Sequence, residues 1–318
     1  MGGALDPTVA TARNRVRDNL ADLEPGSRIV LAVSGGADSL ALAAVTAFVA
    51  AKQAHSLRAV IVDHQLQDNS ATVAAVARQR VESLGIEASV VGVSVGTGGG
   101  MEAAARSARY AVFDALEDVD AVLLGHTLDD QAETVLLGLG RGSGARSIAG
   151  MVAVEGRYRR PFLGVTRKDT ESICQSGGLD WWRDPHNDDP AFTRVRLRHE
   201  VLPLLEDVLG GGVARSLART ADFLRADNDF LDEVAATQTG ALGATALAGL
   251  APAIRGRVLR TAALNAGADS SELAAHHIRG IEELITNWHG QDRIELPGGV
   301  AAMRVGDTLL FGPTPVAR

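Results

Sequence analysis

A chain of 318 residues with 46% hydrophobic and 22% charged residues can bury a large core and has room for a second, smaller domain. No apolar run is long enough to span a bilayer, the N-terminus lacks a signal-peptide pattern, and a lone Cys174 excludes a disulfide framework or a multi-cysteine zinc site, so a cytoplasmic protein is expected. The net charge of −8 argues against general affinity for nucleic acid, yet Arg157, Arg159, Arg160, Arg167 and Lys168 form one basic cluster and Arg194, Arg196 and Arg198 another.

Residues 8–22 pattern as an opening helix that stops near the turn at 25–27. RIVLAV (28–33), a short apolar run bounded by turn residues, predicts a buried strand. SGGADS (34–39) leads into an alanine-rich helix over about 39–52. LRAVIVDH (57–64) predicts a second strand, 69–85 a helix closed by Gly85, and IEASVVGV (86–93) a third strand. After the glycine-rich loop 96–100 come a helix over about 101–117, a strand DAVLLGH (120–126) and a helix from Thr127. Residues 141–200 are less regular, 213–236 pattern as a long helix, and 237–249 break the pattern. Two helices, 251–266 and 270–288, and a short β segment after Arg293 complete the chain.

Strand–helix alternation with near-continuous apolar strands implies an α/β fold, a doubly wound, mainly parallel sheet, followed by a smaller α+β C-terminal domain. The boundaries read as a catalytic domain over 1–212, a linking helix over 213–240 and the small domain over 241–318. In such sheets ligands lie beyond the carboxyl ends of the strands. SGGADS, Asp63 and His126 fall there.

Gly35 and Gly36 let backbone N–H groups approach an anion, and the following helix N-terminus adds a favourable dipole. Ser34 and Ser39 can donate to phosphate oxygens, and Asp38 beside phosphate makes sense if it holds Mg²⁺ or orients a donor. The bland alternative is a turn with Asp38 or Ser39 as a helix cap. In GHTLDDQAET (125–134), Asp130 and Glu133 share a helical face with His126 at its mouth. Asp130 could hold an amine and His126 could take a proton or touch phosphate, while a Thr127–Asp130 capping box explains the same residues.

SGGADS resembles the pyrophosphatase loop of the PP-loop, or N-type ATP pyrophosphatase, superfamily, whose members split ATP between the α- and β-phosphates and adenylate an oxygen. GHTLDDQAET, RGSG (141–144), Ala149–Gly150–Met151, RRPFL (159–163) and DPHNDDPAFTRVRLRHEVLP (184–203) run in the order seen in the tRNA(Ile)-lysidine synthases, a resemblance covering most of 28–205. The resemblance implies adenylation of C2 of the first anticodon cytidine of a CAU-reading tRNA(Ile), then displacement of AMP by lysine, with ATP and Mg²⁺ as cofactors and codon reading changed from AUG to AUA. It implies that Ser34, Gly35, Gly36, Ala37, Asp38, Ser39 and Asp63 bind ATP, with Asp38 toward the metal. Asp38, Arg106, His126 and Asp130 would be catalytic, Arg109 being the fallback for Arg106. Asp130 or Glu133 would hold lysine, and Arg159, Arg160, Arg194, Arg196 and Arg198 would meet the tRNA. A second copy of the chain is kept open as a partner.

Gln65 and Gln67 stand where the family usually has Gly and Arg, which questions that turn's part in ligand contacts. A tRNA thiolation enzyme of the same superfamily generally needs cysteines, an ammonia-using amidotransferase commonly carries a glutaminase cysteine, and a silent RNA adaptor would be expected to lose Asp38 or Asp130. The resemblance implies that the small domain over 241–318 contacts the tRNA and reads its acceptor side; Arg255, Arg257 and Arg260 lie near one helical face, as surface or as tRNA contacts. His276, His277 and Trp288 read as packing or surface, Cys174 as a small core residue, and Trp181 and Trp182 as a buried pair or a base-stacking surface.

Overall fold

The structure is a computed structural model and describes residues 6–66, 69–94, 96, 101–142, 144–238 and 242–314. In chain order the elements are α1 (Pro7–Asn19), β1 (Arg28–Val33), α2 (Ala37–Lys52), β2 (Ser56–Asp63), α3 (Ser70–Ser83), β3 (Glu87–Gly92), α4 (Met101–Asp114), β4 (Ala121–Leu124) and α5 (Leu128–Arg141). A one-turn helix α6 (Ala145–Ile148), short strands β5 (Val154–Glu155) and β6 (Tyr158–Arg159), and α7 (Arg167–Ser176) follow. Then come α8 (Thr193–Arg196), α9 (Leu202–Val208), α10 (Val213–Ala236), α11 (Ala244–Ala248), α12 (Pro252–Asn265) and α13 (Ala275–Thr286). Strands β7 (Ile294–Leu296), β8 (Val300–Val305) and β9 (Thr308–Pro313) close the chain.

The first compact unit runs to Leu136 and resumes over Met151–Ala218. Its sheet has the order β3-β2-β1-β4-β6-β5, parallel except for the β5–β6 pair. Alternation along the strands sorts side chains between the two faces. Ile29, Leu31 and Val33 of β1 join Ala59 and Ile61 of β2 in one core with the buried residues of α1, α2 and α3. Val30, Val60, Val122 and Leu124 meet Phe113 of α4 in a second core. Leu40, Ala41, Leu42 and Ala43 of α2 are all fully buried, so this helix is enclosed nearly all round rather than amphipathic. The chain winds outward from β1 to β2 and β3, then returns to β1's other side at β4, which makes β1/β4 the switch point where a doubly wound sheet opens a crevice.

The second unit comprises Leu137–Gly150 and the described residues from Arg219 onward. Its core gathers Leu259, Ile281, Leu284 and Leu309 from α12, α13 and β9, and its three strands form an antiparallel sheet, β7-β8-β9. The division between units therefore falls inside α10, and 137–150 belong to the second unit, whereas a boundary at 212 and a separate linking helix were expected. A continuous helical pattern carries no mark of where its packing partner changes. The glycine-rich segment 97–100 and Gln67 lie outside the described residues.

Two arginines expected to face RNA are instead structural. Arg159 is 4% exposed; its guanidinium grips both carboxylate oxygens of Asp22, at 2.6 and 2.8 Å, and donates to the Asn19 carbonyl. Arg160, equally buried, donates to the Val152 carbonyl at 3.0 Å and to Glu155 at 3.0 Å. An arginine in a short inner strand is drawn inward when a loop carboxylate and open carbonyls are there to receive it. Arg159→Ala is expected to lower unfolding stability by about 2 kcal/mol in chemical denaturation, because several charge-assisted hydrogen bonds go at once. An unchanged denaturation midpoint with weakened RNA binding would restore the RNA-contact reading.

Candidate active site

The loop after β1 is built around Gly35, whose φ of +85° suits glycine and whose added Cβ would lie 3.0 Å from Ala77 Cβ. Gly36 is the N-cap of α2 and has no side chain to cap it, so the first-turn N–H groups are left for a ligand. Ser39 holds the turn: its Oγ accepts the Ser34 N–H at 3.2 Å and donates to the Gly36 carbonyl at 3.0 Å. Ala37, Asp38 and Ser39 therefore form the first turn of α2, two residues earlier than the sequence pattern placed its start. Gly125, at the end of β4, sits so close that a Cβ there would lie 3.2 Å from backbone atoms of Asp38 and Ser39. That approach closes the switch point around the loop.

A cavity of about 290 Å³ opens at this edge, lined by Ser34, Asp38, Ser39, Asp63, Arg109, His126 and Trp182 among others. Asp63 is 8% exposed, and its Oδ1 accepts the Gln65 N–H at 2.9 Å, so it both caps the strand end and lines the cavity. Gln65, with φ of +54°, takes the left-handed conformation at the turn where glycine was expected. The Trp182 N–H donates to the Gly35 carbonyl at 3.0 Å, which ties the 181–186 segment to the loop and makes Trp182 a wall of the cavity rather than half of a buried pair. Asp184 and His186 of the same segment also line it, positions to which the sequence assigned no role.

Nδ1 of His64, Nδ1 of His126 and Nε of Arg109 are buried around this cavity with no hydrogen-bond partner. Burying such atoms unpaired costs free energy, which marks a site that a polar ligand completes. The cavity size and the open N–H groups of α2 suit a nucleotide. Arg109 faces the cavity, whereas Arg106 is exposed, its guanidinium 3.3 Å from the Tyr110 hydroxyl and over that ring. The fallback residue is thus the one the geometry supports. Burial, with the charges of Arg109, Arg160 and Arg106 added and Asp130 opposing, lowers His126 to about 3 and holds it neutral.

Beside the cavity lies a cluster of alternating charge. Asp130 closes the expected capping box: its Oδ2 accepts the Thr127 N–H at 2.8 Å and the Thr127 hydroxyl at 2.9 Å. Its other oxygen takes Arg167 Nη2 at 2.8 Å, so the capping and ion-pair roles coexist on one carboxylate. Burial opposes the charge on Asp130, but Arg167 and the Thr127 hydrogen bonds prevail and its pKa is lowered. Asp38 binds the Thr170 hydroxyl and lies 3.5 Å from Arg167 Nε. Its carboxyl is raised to about 6, chiefly by burial, against the pull of Arg167 and Thr170. Glu133 is wholly buried and pairs with Arg198 at 2.8 Å, with Arg194 at 3.8 Å and Arg167 at 3.9 Å. Burial raises the Glu133 pKa, with Arg198 opposing. Arg196 stands apart, exposed and paired with Glu200 at 2.9 Å.

The sequence reading placed Arg167 in an RNA-facing patch and missed this junction. A Thr166–Asp169 capping box starts α7, and Asp129 Oδ2 accepts the Arg167 N–H at 2.8 Å, which sets the N-termini of α5 and α7 side by side. The T-x-x-D string was the available signal. Cys174 is buried, its thiol raised to about 12 by burial and the Asp38 charge, as a packing residue should be.

A glycine-rich loop at the switch point, an open helix N-terminus and a nucleotide-sized cavity define a PP-loop ATP-using domain, and the PP-loop domain family matches residues 8–205. The TilS substrate binding domain family matches residues 242–310. The chain is 52% identical to a tRNA(Ile)-lysidine synthase of Thermobifida fusca, covering 92% of this chain and 94% of that one. It is 50% identical to one of Streptomyces coelicolor, covering 89% and 84%, and 52% identical to one of Mycobacterium tuberculosis, covering 90% and 87%. The chain belongs to the tRNA(Ile)-lysidine synthase family. A solved U34-tRNA thiolase of Methanococcus maripaludis with a [4Fe-4S] cluster shares the fold, with TM-score 0.57 and 19% identity over 68% of this chain and 79% of that one. With one cysteine, this chain lacks the thiolates to ligate such a cluster.

The raised Asp38 pKa sets a pH signature. A carboxyl at about 6 in the fold, against an ordinary 3.8, binds protons more tightly when folded. Its contribution to stability is present below the ordinary value and is lost as pH rises to about 6. Asp38→Asn has no such loss, so thermal unfolding from about pH 4 to pH 7 should show the variant gaining on wild type until about pH 6 and then running parallel. Parallel curves throughout would contradict the assignment.

Proposed function

We propose that this chain makes lysidine at the first anticodon position of a CAU-reading tRNA(Ile), in the cytoplasm. ATP adenylates the cytidine C2 oxygen with loss of pyrophosphate, and the amine of lysine then attacks C2 and displaces AMP. Adenylation is needed because a ring carbonyl oxygen leaves poorly, whereas AMP leaves well. The observation that carries the reading is Arg167, which reaches Asp38 of the ATP loop and Asp130 of the second motif at one edge of the sheet. Nucleotide and amine sites in contact are what an adenylation followed by attack requires.

Loop N–H groups, Ser34 and Ser39 would cradle the ATP phosphates, with Asp63 at the cavity wall. A neutral His126 would accept or donate one hydrogen bond, leaving the cationic contact to Arg109. Asp130 suits the lysine ammonium better than Glu133, since its side chain is 18% exposed and that of Glu133 is closed off at 0%. The ammonium would then take over an oxygen that Arg167 now holds. Arg194 and Arg198, partly exposed beside Glu133, would face the anticodon, and exposed Arg196 would add charge at the rim. Among the described residues no three His, Cys, Asp or Glu side chains make a metal site, so Mg²⁺ fits Asp38 only in company with the phosphate oxygens of ATP. When bound there it would withdraw charge from the departing pyrophosphate.

Labelled lysine should enter an unmodified tRNA(Ile) CAU transcript in an ATP-dependent manner, and should not enter the initiator-type CAU tRNA for methionine. A folded, ATP-binding protein that transfers no lysine would overturn the proposal. Asp130→Asn keeps an oxygen for the α5 cap but loses the charge. It is expected to cut incorporation by about 100-fold or more while changing stability by no more than about 1 kcal/mol.

A further inference from the structure

The two oxygens of Asp130 are not equally available. Oδ2 is committed to the α5 cap, where it accepts the Thr127 N–H at 2.8 Å and the Thr127 hydroxyl at 2.9 Å. Oδ1 is left for a ligand, and Arg167 Nη2 holds it at 2.8 Å, with Arg198 Nη2 farther off at 3.7 Å. Glu133 offers no second opening, since its side chain is 0% exposed and is covered by Arg198 and Arg194. An ammonium that binds at this junction therefore meets Arg167 as a competitor of its own charge for a single oxygen.

The other side of the same guanidinium faces the loop after β1. Its Nε lies 3.5 Å from Asp38 Oδ2, and Asp38 stands in the wall of the cavity that the loop opens. The Arg167 main chain is fixed, because Asp129 accepts its N–H at 2.8 Å and the Thr166–Asp169 capping box sets the start of α7. What is left to shift is the guanidinium, strung between Asp38 and Asp130. Phosphate added at the loop makes the Asp38 end the more negative one, draws the guanidinium that way and loosens its hold on Asp130. An ammonium added at Asp130 repels the guanidinium in the same direction, toward Asp38 and the phosphates. The two ligands thus push one side chain the same way.

We infer that Arg167 is a positioning residue that makes the binding of ATP and lysine cooperative: it occupies the amine site of the free protein and yields it when phosphate fills the loop. The inference rests on the lysidine-forming reaction proposed above, which supplies the two ligands. Such coupling is reciprocal, so lysine tightens the nucleotide by the factor by which the nucleotide tightens lysine. Its consequence is order. The amine is held chiefly when a nucleotide is already in place to activate its target, and less of the enzyme is tied up with lysine alone.

The test is equilibrium dialysis of labelled lysine against the full chain with the tRNA transcript and Mg²⁺. It is run with and without an ATP analogue whose α–β bridge is a methylene, so that no adenylation follows. In wild type the analogue should tighten lysine binding by about 10-fold. Arg167→Met removes the competitor: without nucleotide it should bind lysine about 10-fold more tightly than wild type, and the analogue should then change its affinity by less than about 2-fold. A merely structural Arg167 predicts the opposite, weaker lysine binding by the variant in both conditions, and that result would overturn the inference. Arg167→Lys keeps a cation among the carboxylates and should fold even if Arg167→Met does not. Its single point charge cannot hold Asp38 and Asp130 together, so here too the effect of the analogue should fall below about 2-fold. Wild-type coupling retained by Arg167→Lys would count against the inference just as firmly. A wild-type protein that incorporates lysine while its lysine affinity ignores the analogue sinks this inference alone, whereas one that neither binds nor incorporates lysine sinks the proposed function with it.

Discussion

The Arg167 guanidinium stands among three carboxylates, Asp38 of α2 and Asp130 and Glu133 of α5, that would repel one another without it. In an environment of low dielectric, like charges a few ångströms apart cannot all stay ionised unless cations sit between them. Arg198 and Arg194 complete the alternation on the Glu133 side. Despite burial, which disfavours its charge, Arg167 is held more firmly protonated than usual by Asp130, Asp38 and Glu133. Much of the first unit serves this junction: the capping boxes at Thr127–Asp130 and Thr166–Asp169 bring the N-termini of α5 and α7 together, and Asp129 pins the Arg167 backbone.

Such a network costs several kcal/mol per ion in lost hydration, and its worth lies less in stability than in poise. Asp38 is kept near half-ionisation at about pH 6, His126 is kept neutral, and unpaired nitrogens face a cavity at the sheet's switch point. Each is a group whose environment a bound nucleotide or ammonium would change. Under the proposed assignment, a substrate cation arriving at Asp130 would displace a hydrogen bond from Arg167, which also lies 3.5 Å from Asp38 on the ATP loop. Coupling between the proposed amine site and the nucleotide site would follow from that shared partner.

Much of this was legible in the chain. Short, near-continuous apolar runs located β1, β2 and β4, because strands buried on both faces must be apolar at nearly every position, and the same kind of run located β3 at the exposed edge of the sheet. Gly35 and Gly36 marked the anion loop, and at Gly35 a left-handed φ and close packing against Ala77 exclude larger residues. The Thr127–Asp130 capping box was visible as a local string and closed as expected. β5, β6 and α7 were not found, being two residues long or hidden in an irregular stretch, so no period could build up. The basic cluster at 157–168 was misread for a related reason. Charge in a sequence does not say which way a guanidinium points, and Arg159 and Arg160 turned inward to carboxylates and carbonyls far away in the chain or across a short turn.

The sequence by itself determined the fold class, the phosphate loop and the order of motifs that places the chain among lysidine synthases, because these depend on local spacing and side-chain chemistry. Tertiary structure decided the pairings: Arg167 with Asp38 and Asp130, Arg198 with Glu133, and Arg109 rather than Arg106 at the cavity. Partners in an ion pair or a cavity wall are separated by tens of residues, and which ones meet depends on how helices pack over the sheet, not on any string of residues.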